Sequence, residues 1–303
     1  MLVVRSLSAH RFLCRLFFTR ARFGVLWTRG GLGNQLFQIS ALSFFSNNKE
    51  FSPIIHPCNL RKARDGFNPQ YRSLGIEGLF SIGKRKVDPS LPLELILRVI
   101  YRVFSTFFRF AIYNESKMIH SSISSMPKLF FIQDYFQSQD YPNCLSEESL
   151  DYLVKDIPDS ALKRDSSGKF PNQISAMIHV RLTDSHDKTN NRNRFLKAEK
   201  LVKNIDGVKG ISVLDIYSDD LPQARELLED IFVSTPKHYP EESEQLSPTA
   251  LLGRFMQYDC IIASKSTLNW WACYLRSRLS TKESLILADF DQKLMRRGWL
   301  QIE

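Results

Sequence analysis

Three short segments of this chain carry residue types suited to holding a phosphate. The first is Gly30-Gly31-Leu32-Gly33-Asn34-Gln35, between an apolar run, Phe23 to Thr28, and an amphipathic pattern from Leu36 to Phe45. Glycines let a backbone approach a ligand closely, and the N-terminus of the helix that follows favours an anion. The turn has neither the Walker lysine nor the full dinucleotide spacing, so a purely structural turn accounts for it equally well. The second segment is His179-Val180-Arg181-Leu182-Thr183-Asp184, at the exit of the apolar run Ile174–Val180. Ligands of open α/β sheets bind at such strand ends, and an arginine there can grip a diphosphate through two parallel N–H bonds. A surface ion pair is the competing reading. The third is Ser264-Lys265-Ser266-Thr267, which leads from a buried run into a helix opening on Leu268-Asn269-Trp270-Trp271. Its hydroxyls and the first helical N–H groups converge where a phosphate can sit. The plainer reading is a capped helix with two core tryptophans, which suits Trp271 and leaves Ser266 and Thr267 unexplained. Six scattered histidines and five widely spaced cysteines, with no C-x-x-C, show no metal-ligand spacing. A D-x-D at Asp289-Phe290-Asp291 has little chain left beyond it for a sheet, and reads as a loop.

Alternating strand and helix patterns place these segments. After the first turn, residues 52–90 look loop-like with short elements, and Leu91 to Tyr113 reads as one long helix with Pro92 in its first turn. At roughly 100° per residue, Arg98, Arg102 and Arg109 share one edge of that helix. Phe130 to Gln137 reads as a strand entering a loop, and positions 156–173, rich in Pro, Ser and Gly, as the linker between domains. The alternation then restarts, with strands at Ile174–Val180, Ile211–Tyr217, Asp259–Ala263 and Leu285–Ala288. Helices are expected at Arg194–Lys203, Leu221–Ile231 (with Asp220 able to cap it), Pro248–Tyr258 and Leu268–Arg278. Such alternation in both halves predicts an α/β protein with two Rossmann-like parallel-sheet domains facing a cleft.

The 303 residues carry a net charge of +9, unevenly placed. Positions 1–49 hold seven basic residues and no acidic one, whereas the remaining 254 hold 34 basic and 32 acidic side chains. A nearly neutral body excludes a broad basic platform for nucleic acid. Residues 1–22 form a basic extension that fits three readings: a start nearer residue 22, a short membrane-surface segment, or a transit peptide. The first two are preferred, and the extension is set outside the fold. No 18-residue apolar stretch free of charge occurs, so a transmembrane helix is not expected. The cysteines read as reduced thiols of a cytoplasmic protein, with Cys260 and Cys273 in the core.

Taken together, GGLGNQLFQ (Gly30–Gln38), YFQ (Tyr135–Gln137), HVRLTD (His179–Asp184), YSDD (Tyr217–Asp220) and IIASKSTLNWWACYL (Ile261–Leu275) resemble, in order and approximate spacing, glycosyltransferase family 11, the α-1,2-fucosyltransferases. The resemblance runs from about residue 24 to 280. Where the family has H-x-R-R-x-D, this chain keeps Arg181 and has Leu182 in place of the second arginine. Lys265 and Asn269 stand where the family usually has asparagine and serine.

The resemblance implies the GT-B architecture, with an acceptor-side domain at 23–165 and a GDP-sugar-binding domain at 166–303. It implies inverting transfer of L-fucose from GDP-fucose to a galactoside hydroxyl, without a metal or other cofactor. Arg181 and Asp184 are then the expected catalytic residues, with Asp187 an alternative base. Gly31, Gly33, Asn34, Gln35, His179, Arg181, Asp219, Asp220, Ser266 and Thr267 are expected around the donor, with Gln137 a further hydrogen-bond partner. The acceptor would be a glycan or lipid-linked oligosaccharide, as in surface-polysaccharide synthesis, and the protein cytoplasmic or peripheral on a membrane. The alternative is a non-catalytic sugar-nucleotide-binding or glycan-binding relative.

Overall fold

The computed structural model describes residues 9–56, 91–107, 109–155, 157, 174–180, 182, 188–204, 211–240, 246–280 and 284–302. The chain divides into two compact units, Met1–Asp156 and Ile157–Glu303. The domain boundary expected between 165 and 166 lies outside the described residues.

The first unit runs α1 (Ala9–Phe18), β1 (Phe23–Trp27), α2 (Leu32–Lys49), β2 (Ser52–His56), α3 (Leu91–Phe107), β3 (Ile112–Tyr113), α4 (Glu115–His120), β4 (Leu129–Ile132), α5 (Asp140–Asn143) and α6 (Glu147–Lys155). Its four strands are all parallel, in the order β2-β1-β4-β3. β1 and β4 are buried along their whole length, as a parallel sheet covered on both faces requires. That is why FGVLW and LFFI are continuous apolar runs.

Three sequence expectations change here. The helix after the glycine turn begins at Leu32, not Leu36, so Gly33, Asn34 and Gln35 are its first turn. The long helix ends at Phe107, because Ile112 and Tyr113 pair with Phe131 and Ile132 as an edge strand. Helical periodicity alone could not show that the sheet claims those apolar residues. The described part of the basic extension, residues 9–22, also belongs to the fold. Phe12 is fully buried, meets the Phe23 ring edge-on at 5.1 Å, and shares a core cluster with Leu97 of α3.

The second unit runs β5 (Ile174–Val180), α7 (Lys188–Lys203), β6 (Ile211–Ser218), α8 (Leu221–Leu227), β7 (Lys237–His238), α9 (Pro248–Phe255), β8 (Cys260–Ala263), α10 (Thr267–Leu279), β9 (Leu285–Ala288) and β10 (Leu300–Gln301). All six strands are parallel, in the order β10-β9-β8-β5-β6-β7. Counted from β5 as the unit's first strand, this is the doubly wound order 3-2-1-4-5-6. The chain winds outward from β5 in one direction and from β8 in the other. β5 and β8 are therefore the two neighbours whose following connections part, and the crevice beyond their C-terminal ends is where such sheets bind ligands.

Alternation along β5 sorts its side chains. Ala176, Ile178 and Val180 enter one core cluster with Phe195 and Ala198 of α7, while His179 faces the opposite layer, against Phe255 of α9. Both units are thus α/β layers about an all-parallel sheet, as the alternation predicted. The short strands β3, β7 and β10 carry no sequence signal beyond two residues each.

Candidate active site

In the first unit the glycine turn is held by three constraints. Gly30 has φ +80°, and a Cβ there would come within 2.7 Å of Asn34 Nδ2, so only glycine fits. Gln38, fully buried in the second turn of α2, donates through Nε2 to the Arg29 carbonyl and accepts from the Arg29 N–H, both at 3.1 Å. Gln35 Nε2 donates to the Gly30 carbonyl at 2.9 Å. Gly31 is different, since a Cβ on it would meet no atom within 4 Å. Its lack of a side chain answers no internal crowding and leaves the backbone open at the helix start.

Neighbouring β4 supplies the second wall. Phe136 sits in the left-handed region at φ 53°, a conformation that costs a bulky residue about 1–2 kcal/mol. It is held there by burial against Phe45 and Tyr141. Gln137, directly after it, donates through Nε2 to Asn34 Oδ1 at 2.9 Å and so ties the two strand ends together. Arg29 lies over the Tyr135 ring, 4.2 Å from its centroid, with Asp134 Oδ1 4.0 Å from its guanidinium. Asn34 and Gln137 are thus brought together, while Gln35 braces the turn itself. Gln38 was missed, because a glutamine on an amphipathic helix carries no local signal of what it latches.

In the second unit the motifs converge at the β5/β8 crevice. Ser264 Oγ donates to the His179 carbonyl at 3.0 Å, joining the two strand ends. Asn269, fully buried in the first turn of α10, donates through Nδ2 to the Ser264 carbonyl at 3.3 Å and to Ser264 Oγ at 3.0 Å. Those acceptors fix the amide orientation and turn Asn269 Oδ1 toward His179 Nδ1, 2.9 Å away. An acceptor opposite Nδ1 requires the proton on Nδ1, so the neutral ring presents Nε2 as its acceptor. Asn269, read in the sequence only as a departure from the family pattern, therefore sets the tautomer of His179. Nitrogen NMR of His179 is expected to show a protonated Nδ1 and an unprotonated Nε2. Asn269→Ala should lose that signature and about 1–3 kcal/mol of stability, since it strands buried partners. A protonated Nε2 in the neutral wild-type ring would overturn the assignment.

The aspartate pair after β6 takes two structural tasks. Asp220 Oδ1 caps α8 by accepting from the Gln223 N–H at 3.0 Å. Asp219 Oδ1 accepts from the Leu182 N–H at 2.8 Å and anchors the chain just beyond β5. Both were expected around the donor, and one oxygen of each is engaged in capping or anchoring. Arg181, Asp184 and Asp187 lie outside the described residues. Leu182 is buried in the cluster with Phe195 and Ala198, which explains an apolar residue at that position.

Ser266 stands apart. Asn114, Asp220 and Ser247 each cap the helix that follows with a side-chain oxygen. Ser266 occupies the same position before the 13-residue α10, yet makes no side-chain cap bond. Its Oγ is buried and has no hydrogen-bond partner among the described residues. A buried hydroxyl without a partner costs about 1–3 kcal/mol, and an anion at the start of this helix would relieve that cost. Half-buried Thr267 opens the same helix, whereas Lys265 is exposed, 4.0 Å from Asp291. Asp289 is paired with Arg194 of α7. Among the described residues no cluster of His, Cys, Asp and Glu could hold a metal ion. Cys260 and Cys273 are buried free thiols, and burial pushes Cys260 up to about 12.

No family model matches the chain, and no curated protein matches it. Solved structures do. The fucosyltransferase NodZ from Bradyrhizobium is 13% identical with a TM-score of 0.49, the match covering 85% of this chain and 94% of that one. A mutant of Arabidopsis thaliana FUT1 in complex with GDP is 13% identical with a TM-score of 0.49, over 85% of this chain and 69% of that one. POFUT1 in complex with GDP is 10% identical with a TM-score of 0.43, over 87% of this chain and 97% of that one. Identity this low bears on neither substrate nor linkage.

Proposed function

We propose that the protein transfers L-fucose from GDP-fucose to a galactoside hydroxyl, in α-1,2 linkage and with inversion at the anomeric carbon. The observation that carries this reading is the buried, unpartnered Ser266 hydroxyl at the start of α10, in the crevice of a doubly wound sheet. Such a site suits a phosphate. The resemblance of the five motifs to the α-1,2-fucosyltransferases supplies the sugar nucleotide and the linkage.

In the reaction the acceptor oxygen attacks C1 of fucose, the bond from C1 to the β-phosphate oxygen breaks, and GDP departs with the electron pair. Charge grows on the β-phosphate, and fixed donors there stabilise the transition state more than the ground state. Arg181, Ser266 and Thr267 are the donors assigned to that task. A carboxylate, Asp184 in this reading, takes the proton of the acceptor hydroxyl. His179, with Nδ1 committed to Asn269, carries its acceptor at Nε2 when neutral and is assigned to the donor side of the site. The acceptor is a glycan or lipid-linked oligosaccharide.

Ser266→Ala tests the site directly. Most serine caps cost about 0.5–2 kcal/mol when truncated, but this one makes no cap bond. The variant should be as stable as wild type, or up to about 1 kcal/mol more so, while binding GDP about 10-fold more weakly. Calorimetric binding and chemical denaturation read the two effects. Loss of stability with unchanged GDP affinity would sink the reading. GDP binding with no fucose released to any galactoside would leave a non-catalytic sugar-nucleotide-binding protein.

A further inference from the structure

α1 and α3 lie on the same side of the first sheet, and their inward faces share one core cluster. Phe12 and Leu16 belong to it from α1, and Leu97, Ile100, Tyr101 and Phe104 from α3. Their outward faces are not polar. On α3, Leu95, Val99, Val103 and Phe107 are 61, 63, 41 and 75% exposed and recur every four residues, a continuous stripe along the helix. At the end of α1, Phe17 and Phe18 are 67 and 85% exposed. A soluble surface scatters such residues singly, and an aligned run marks an interaction face.

Charge indicates what covers it. Arg102 is exposed on the edge of the stripe, and Arg15 and Arg20 are exposed on and just after α1. No acidic residue occurs from residue 1 to 49 or from 95 to 114. The two helices carry one carboxylate, Glu94 in the first turn of α3, so a second copy docking through the same patch would set mostly arginines against arginines, which disfavours a twofold dimer. No described helix is long and apolar enough to cross a membrane. An apolar stripe edged by cations, on helices too short to span, matches an anionic bilayer entered from one side. The apolar side chains enter the acyl boundary and the guanidinium groups meet lipid phosphates.

We infer that the α1/α3 face of the first unit docks on an anionic lipid surface. This goes beyond fucosyl transfer and does not depend on it, since the face lies outside the second unit's crevice residues and its test uses no donor.

The test is flotation of the full chain with vesicles of phosphatidylcholine alone and of phosphatidylcholine with phosphatidylglycerol. The protein should float with the anionic vesicles and not with the neutral ones, and added salt should weaken the partition. Val99→Asp with Val103→Asp should reduce partition at least 10-fold, and Arg102→Glu about 10-fold. Because these side chains are exposed, the thermal unfolding of both variants should match wild type. No flotation, equal flotation on both vesicles, or flotation indifferent to V99D/V103D would overturn the inference. A dimer in sedimentation that V99D/V103D dissolves would instead assign the face to a second copy.

Discussion

Replacing Leu182 by arginine, the residue of the family pattern, is expected to destabilise the second unit rather than to improve activity. Leu182 is 6% exposed and packs in the cluster with Val180, Phe195 and Ala198. Its backbone N–H is fixed by Asp219, so the residue cannot swing outward without breaking that bond. A guanidinium taken into this layer loses its hydration among apolar side chains. The cost is about 3–5 kcal/mol, against a total stability of roughly 5–15 kcal/mol for a domain. Denaturant unfolding should show the loss, while Leu182→Met should cost less than about 1.5 kcal/mol. An L182R variant that unfolds at the wild-type midpoint and turns over faster would show that this position had lost a working arginine.

The largest functional effect is expected one residue earlier. Arg181→Ala should lower fucose transfer about 100- to 1,000-fold, the usual consequence of removing one donor from a developing anion. The loss should fall mainly on kcat, because the β-phosphate gains its charge as the bond to C1 breaks. Lysine should restore little, since a point charge does not reproduce two parallel N–H bonds. Denaturation and the circular dichroism spectrum should be unchanged, separating this variant from L182R. Transfer at the wild-type rate would remove Arg181 from the mechanism and, with it, the main cation of the proposed site.

These adjacent residues illustrate how unevenly function is written in the chain. The types His, Arg and Asp after a β-prone run identify a strand exit that can meet a phosphate. Nothing local distinguishes a second arginine that grips a ligand from a leucine that seals a core. That distinction depends on α7, whose Phe195 and Ala198 lie more than ten residues downstream. The same holds for His179. Its partner Asn269 is 90 positions away, and its tautomer follows from a hydrogen-bond chain through Ser264 that no spacing rule encodes.

The sequence alone determined the class of fold, because apolar runs without alternation imply strands buried on both faces, and strands alternating with helices imply parallel sheets. It also located the Gly30–Gln35 turn and the Ser264–Thr267 helix start, whose chemistry is local to a few consecutive residues. Tertiary structure decided the rest. It set the strand order that makes β5 and β8 diverge, gave Asp219 to the Leu182 N–H, and brought Phe12 of the basic extension into the core. It left the Ser266 hydroxyl buried without a hydrogen-bond partner among the described residues. Each of these is a contact or a missing contact between segments far apart in the chain, and periodicity and spacing report only on neighbours along it.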